Sequence, residues 1–214
     1  MHDPEGVIKY QLTHIEEPVP LSATEFSQIN AWRTMAYQLG VIGQDSTRYG
    51  GLGFGNISQI VTHKAIQFII SGTQTGHEAS LSLAQYCGIL TADIDRNTMT
   101  AQGLCKPSSE ALTHAMIYAI NPTIKAIIHV HSPEIWHAAQ PLNLPCTATD
   151  IPYGTPEMAL AVEQLFIDKQ LANTGTFAML GHQDGIVSFG LTLEKAGIEL
   201  IKYLAAARAI NAYS

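Results

Sequence analysis

Apolar and polar positions follow two rhythms along this chain, and the rhythm changes often. Phe26, Ile29, Trp32 and Met35 recur at helical spacing, which predicts an amphipathic helix running to about Leu39. Ser22, with Glu25 three residues on, supplies a capping-box start for it. Residues 1–22 read as a polar leader that Pro18 and Pro20 close. Short β-branched runs then predict strands at 57–61 and 66–70, followed by a hairpin of 86–94 and 98–101 around Asp95-Arg-Asn97. Pro107 stands where a first-turn proline would, so a helix is expected from there to about Ile120, ended by Asn121-Pro122. A buried strand follows at 125–130, a short helix after Pro133, and a longer helix from Pro156 to about Leu171. Residues 176–180 and 186–189 predict a second hairpin around Gln183-Asp-Gly185, and 193–210 the last helix. Helices interleaved with hairpins predict an α/β fold, a three-layer α/β/α sandwich on a mixed, mostly antiparallel sheet.

Composition narrows the setting. With 214 residues the chain is read as a single domain over 1–214, large enough to bury a core without disulfides. Apolar residues make up 46% and charged residues 14%, a globular balance with few charges to solvate the surface; a homo-oligomer is therefore expected. The net charge of −7, with no clustered Lys or Arg, argues against nucleic acids and anionic membranes as partners. It does not argue against phosphorylated metabolites, which backbone N–H groups and hydroxyls can hold. Three widely spaced cysteines, Cys87, Cys105 and Cys146, form no disulfide framework and no zinc ribbon. A reducing compartment follows. The leader lacks the apolar core of a signal peptide and no apolar run is long enough to span a membrane, so the cytoplasm is expected.

The candidate chemistry begins at Ile127-Ile-His129-Val-His131. Alternate residues of a strand share a face, so two imidazoles stand side by side with Val130 turned away. Zinc takes such nitrogens readily, and a catalytic site adds a third protein ligand and leaves a position open. The plain alternative is two polar residues facing water at a strand end. For a third ligand, position alone leaves His182, at the end of an apolar strand, level with His137 in the following short helix. Lys106-Pro-Ser-Ser-Glu110 offers hydroxyls and helix-start N–H groups suited to an anion, with Glu110 one turn in. There Glu110 is either a cap or an acid/base, and His114 lies one turn further on the same face, in a supporting role. The glycine-rich stretch 50–56 and the loop 71–76 match neither a P-loop nor a dinucleotide fingerprint.

Taken together these motifs resemble the class II aldolase/adducin-head family, of the L-fuculose-phosphate aldolase type. The resemblance rests on Gly55-Asn56-Ile-Ser58, on Ser71–Gly76, and on the block from Pro107-Ser-Ser-Glu110 through His114, Tyr118, Pro122 and Ala126 to His129-Val-His131. His182 is similar to the histidine of the family's late hairpin, here separated from Gly185 by Gln183-Asp184. The resemblance covers about residues 25–210. It implies that His129, His131 and His182 bind zinc, that Glu110 is the acid/base, and that Gly55, Asn56, Ser71, Thr75, Gly76, Ser108 and Ser109 surround a substrate phosphate. It implies reversible aldol cleavage of a small sugar or sugar phosphate through a metal-stabilised enediolate, in a cyclic homotetramer. A dehydratase or an epimerase on the same scaffold is the nearest alternative, although the epimerase branch tends to carry Asp at the position of Glu110. A non-catalytic assembly module like the adducin head is the remaining one, and such heads are expected to lack the three histidines. The chain departs from the family at 144–154, a short segment where family aldolases carry a longer loop with a catalytic tyrosine. Asp150 and Tyr153 are the residues there that offer a replacement.

Overall fold

The computed structural model describes residues 7–168 and 171–211. Its main sheet joins nine strands: β1 (Gln11–Ile15), β4 (Asn56–Gln59), β5 (Phe68–Ser71), β6 (Tyr86–Asp93), β7 (Thr98–Gln102), β8 (Ala126–His131), β9 (Cys146–Thr147), β10 (Gly175–Met179) and β11 (Gly185–Gly190). Two short strands, β2 (Gly43–Gln44) and β3 (Gly53–Phe54), pair separately. The order across the main sheet is β1-β7-β6-β5-β4-β8-β11-β10-β9. The pairs at its two edges, β1 with β7 and β9 with β10, are parallel, and all pairs between them are antiparallel.

Side chains of β8 alternate between two cores. Ile127 joins one with α2 (Ala111–Ile120) and α4 (Pro156–Ile167). Ala126, Ile128 and Val130 join the other with α1 (Ala23–Gln38), α3 (Pro133–His137) and α5 (Leu193–Asn211). The α/β/α sandwich on a mostly antiparallel sheet is therefore what this sequence builds. Strand alternation puts His129 and His131 on the α2/α4 face at the end of β8.

Several expectations shift. The leader is not all leader: the first six residues, His2 among them, lie outside the described residues, but 11–15 form the edge strand β1. Its alternation is of exposed and half-buried positions, so it never produced an apolar run. The capping box of Ser22 and Glu25 does start α1. Of its predicted stripe, Ile29 is buried and Phe26 and Trp32 pack half-buried against the core, Met35 is exposed, and Arg33 and Ala36 complete the buried face. Arg33 is buried because its guanidinium donates to the carbonyls of Thr75 (2.8 Å) and Glu78, tying α1 to the loop after β5. Replacing Arg33 with Met strips both carbonyls of a charged donor and is expected to cost about 3–6 kcal/mol, since each of the two bonds to a charged group contributes roughly 1.5–3 kcal/mol. Denaturant unfolding measures the cost, and hydrogen exchange should rise first in 73–78.

The proline at 107 does not open a helix. Pro107 bridges Gly72, the Ser108 N–H donates to the Ser71 carbonyl (3.2 Å), and the Lys106 carbonyl accepts from Thr73 (3.0 Å). This pairing holds 106–108 extended beside the end of β5, so α2 starts only at Ala111 and Glu110 becomes its N-cap rather than its third residue. Helix α4 ends at Ile167, short of Leu171. The three cysteines are free. Among the described residues no helix is long and apolar enough to cross a membrane.

Candidate metal centre and adjoining pocket

Three histidines from separate stretches of chain converge. His129 and His131 come from β8, and His182 from the turn joining β10 to β11, which pairs with β8 in antiparallel register. One nitrogen from each of His129, His131 and His182 lies within 4.8 Å of the others. All three rings are buried. The His129 and His182 rings stack at 5.2 Å, and the His131 ring stands edge-on to both, 5.1 Å from His129 and 4.7 Å from His182. His137 is not part of this cluster.

The donor set fits a divalent cation. His129 Nδ1 lies 3.2 Å from the Ile186 carbonyl, which makes it the protonated nitrogen. Its Nε2 is buried with no hydrogen-bond partner, which is costly unless the lone pair finds an acceptor such as a metal. Burial, then the neighbouring His182 and His114, hold His129 well below the usual histidine range. Burial, His182, His129 and Arg48 do the same for His131. Both are neutral imidazoles at pH 7, the form that ligates. Imidazole donors suit zinc and also Cu, Fe and Ni.

Aromatic rings wall this cluster, and of them only Tyr153 stands out in the sequence, as a replacement for the absent tyrosine. Tyr153 stacks its ring on His182 at 4.4 Å with an interplanar angle of 22°, and Lys9 sits 3.8 Å over the Tyr153 ring. Asp150, the other residue offered for the absent tyrosine, is exposed. Tyr49 stands edge-on to His131 at 4.6 Å, and Phe54 lies 5.6 Å from the same ring. The Tyr49 phenol donates to Asp184 Oδ2 at 2.6 Å and accepts from Arg48 Nη2 at 2.5 Å. Burial and Asp184 push the Tyr49 phenol up, so it remains an O–H donor at neutral pH. The local signals were thin. Tyr49 opens the glycine-rich stretch and Asp184 lies in the His182 turn, but nothing in the sequence relates the two.

A pocket adjoins the cluster through β4, where Asn56 is the register partner of His129. It is lined by Gly53, Gly55, Asn56, Gly72, Thr73, Gln74, Thr75, Gly76, Ser108 and Ser109. Six of the seven residues expected around a phosphate are therefore together. The seventh, Ser71, is not in the lining: its hydroxyl accepts from the Ile57 N–H at 3.2 Å. The Asn56 carboxamide oxygen is buried without a partner. The Thr75 hydroxyl is committed to the Gly72 carbonyl at 2.9 Å. Two glycines are demanded by the packing itself. A Cβ on Gly55 (φ +75°) would meet Ile42 at 2.7 Å, and one on Gly76 would meet the Gly43 carbonyl at 2.0 Å.

Glu110 is buried at the start of α2, directly after the lining residue Ser109. Its Oε2 accepts from Thr113 at 3.0 Å. His114 turns its side chain to the sheet instead of to a ligand: Nδ1 meets Ser58 Oγ at 2.7 Å, and Ser58 meets the Tyr118 hydroxyl at 2.8 Å. Burial lowers its pKa to about 3, so it is a neutral structural histidine.

Comparison with known proteins agrees with this picture. Residues 46–210 match the family model described as Class II Aldolase and Adducin N-terminal domain. Over 97 residues the chain is 33% identical to the Mycoplasma pneumoniae protein named "Probable L-ribulose-5-phosphate 4-epimerase UlaF", a stretch covering 45% of this chain and 38% of that protein's length. The fold is similar to that of the L-fuculose-1-phosphate aldolase of Thermus thermophilus, with TM-score 0.63 and 16% identity over 88% of this chain and 93% of that one. It is also similar to a sugar-phosphate aldolase from Thermotoga maritima, with TM-score 0.61 and 17% identity over 84% and 90% of the two chains.

Proposed function

The chain belongs to the class II aldolase and adducin N-terminal domain family, and from that premise we propose that it is a divalent-metal-dependent aldehyde-lyase acting on a small phosphorylated sugar, with zinc as the expected ion. What carries the reading is the cluster of three buried imidazoles beside a pocket of glycines and hydroxyls. His129, His131 and His182 would hold the ion. When bound, it supplies Lewis-acid polarisation of a substrate carbonyl.

The chain's own residues do the rest. Asn56, Ser108 and Ser109, with the backbone of the 72–76 loop, orient the phosphate end, a task that oriented N–H groups and hydroxyls perform without a cation. In the cleavage direction the Glu110 carboxylate takes the proton of the β-hydroxyl as the carbon–carbon bond opens to an aldehyde, its electron pair passing to the other fragment. Glu110 returns a proton to the α-carbon of the other fragment; a buried carboxyl with one oxygen held by Thr113 presents a fixed geometry for that transfer. Tyr153, stacked on His182, and Tyr49, against His131, exclude water from the imidazoles. A cytoplasmic homotetramer belongs to the same proposal, resting on the family resemblance and the low charged fraction.

A second reading, epimerisation at the same site, is favoured by the identity shared with the Mycoplasma pneumoniae protein. Incubation of the metal-loaded protein with L-fuculose 1-phosphate and with L-ribulose 5-phosphate separates the two. Aldehyde release is the expected result. An epimeric sugar without cleavage would replace the lyase reading, and loss of water would indicate dehydration.

A further inference from the structure

Left-handed backbone at a non-glycine residue costs about 1–2 kcal/mol, and such residues concentrate where function over-determines the structure. Among the described residues, five non-glycines have positive φ: Tyr49, Gln74, Asn97, Asn143 and Asp184. The two asparagines sit in turns, where asparagine tolerates this conformation. Gln74 lines the pocket. Tyr49 (φ 49°) and Asp184 (φ 60°) meet beside the histidine cluster and share the 2.6 Å hydrogen bond.

Tyr49 is the informative one. The next two residues, Gly50 (φ 67°) and Gly51 (φ 77°), take the same conformation without penalty. A tyrosine in place of a third glycine is explained by its side chain, not by the turn. That side chain is held at both ends. The ring stands against His131, and the hydroxyl is fixed between Asp184 and Arg48. The guanidinium of Arg48 in turn lies 4.8 Å over the Tyr49 ring and 4.9 Å over the Phe54 ring. Asp184 is itself anchored, because its carbonyl accepts from the Ser132 N–H at 2.9 Å, next to His131 in sequence.

We infer that the Tyr49–Asp184 hydrogen bond is a latch that positions His131, and the turn carrying His182, for metal binding. Closed, it presses the Tyr49 ring on one ligand and tethers the turn bearing another. Open, the strained 49–51 turn relaxes and the His131 ring loses the wall that holds its orientation. Tyr49 is thus a positioning residue. The inference rests on the proposed metal site but not on the reaction assigned to it.

The test compares cobalt and zinc affinity, by chelator competition, in the wild type, Tyr49→Phe, Asp184→Ala and Asp184→Asn. Tyr49→Phe keeps the ring and removes the bond. It should bind metal about 10–100-fold more weakly, the usual cost of disturbing a supporting residue around a metal ligand. Its cobalt absorption bands should change while the melting temperature of the metal-free protein stays within a few degrees of wild type. Asp184→Ala should match it, and Asp184→Asn, which keeps an acceptor, should recover most of the affinity. Wild-type affinity and an unchanged cobalt spectrum in Tyr49→Phe would overturn the latch while leaving the metal site intact. Failure of the wild type itself to bind either ion would remove both.

Discussion

Replacing Glu110 with glutamine is expected to leave the metal in place and to lower turnover by about two to four orders of magnitude, the range that general acid–base catalysis contributes. The substitution is nearly isosteric, and glutamine can still accept from Thr113, the contact that fixes Oε2 at 3.0 Å. What it removes is the proton that the proposed transfer needs. The loss should fall on kcat, with KM for the phosphorylated sugar changed little, because the pocket residues Asn56, Ser108 and Ser109 are untouched. A structural role for Glu110 as the N-cap of α2 gives a different pattern. The carboxyl is buried, so such a role would show as a lower melting temperature with kcat unchanged. Steady-state kinetics and thermal unfolding on the same sample separate the two.

Replacing His131 with alanine is expected to abolish stoichiometric metal binding, a loss larger than the roughly 10–100-fold assigned to supporting residues. The cluster offers three nitrogens, and two are too few for a site that must also leave a position open. The metal-free protein carries a pH signature of the same residue. Burial and the neighbouring His182, His129 and Arg48 hold the imidazole well below its ordinary value of 6.5. The unfolded chain therefore takes up its proton first as pH falls, and the folded state loses stability from about pH 6.5 downward. In His131→Ala that part of the acid sensitivity disappears. Unfolding curves of the metal-free proteins between about pH 5 and 8 measure it, and an unchanged slope in the variant would mean that His131 is not buried neutral.

How much of this was legible in the sequence depends on whether a feature is local. The pair on β8 was legible because a strand has period two: His129, Val130 and His131 reveal their own faces. His182 was legible only through family resemblance, since its approach to β8 depends on the pairing of β11 with β8. Spacing alone could not choose it over His137. The Tyr49–Asp184 bond spans 135 residues and leaves no periodic trace. Arg33 misled for a related reason. A charged residue reads as a solvated face, yet two loop carbonyls make its burial favourable, while Met35 is exposed. Pro107 misled because its helix-start signal was real but lost to pairing with Gly72, which moved Glu110 to the cap. Strand β1 was invisible because one face is exposed and the other only half-buried, so Leu12 and Ile15 form no apolar run.

The proposed function stands on His129, His131 and His182 holding a single divalent cation between them. Elemental analysis of the purified protein after incubation with zinc and removal of excess by gel filtration tests it directly. One zinc per chain is expected in the wild type and none in His131→Ala. No retained metal in the wild type, or one equivalent persisting in the variant, would contradict it.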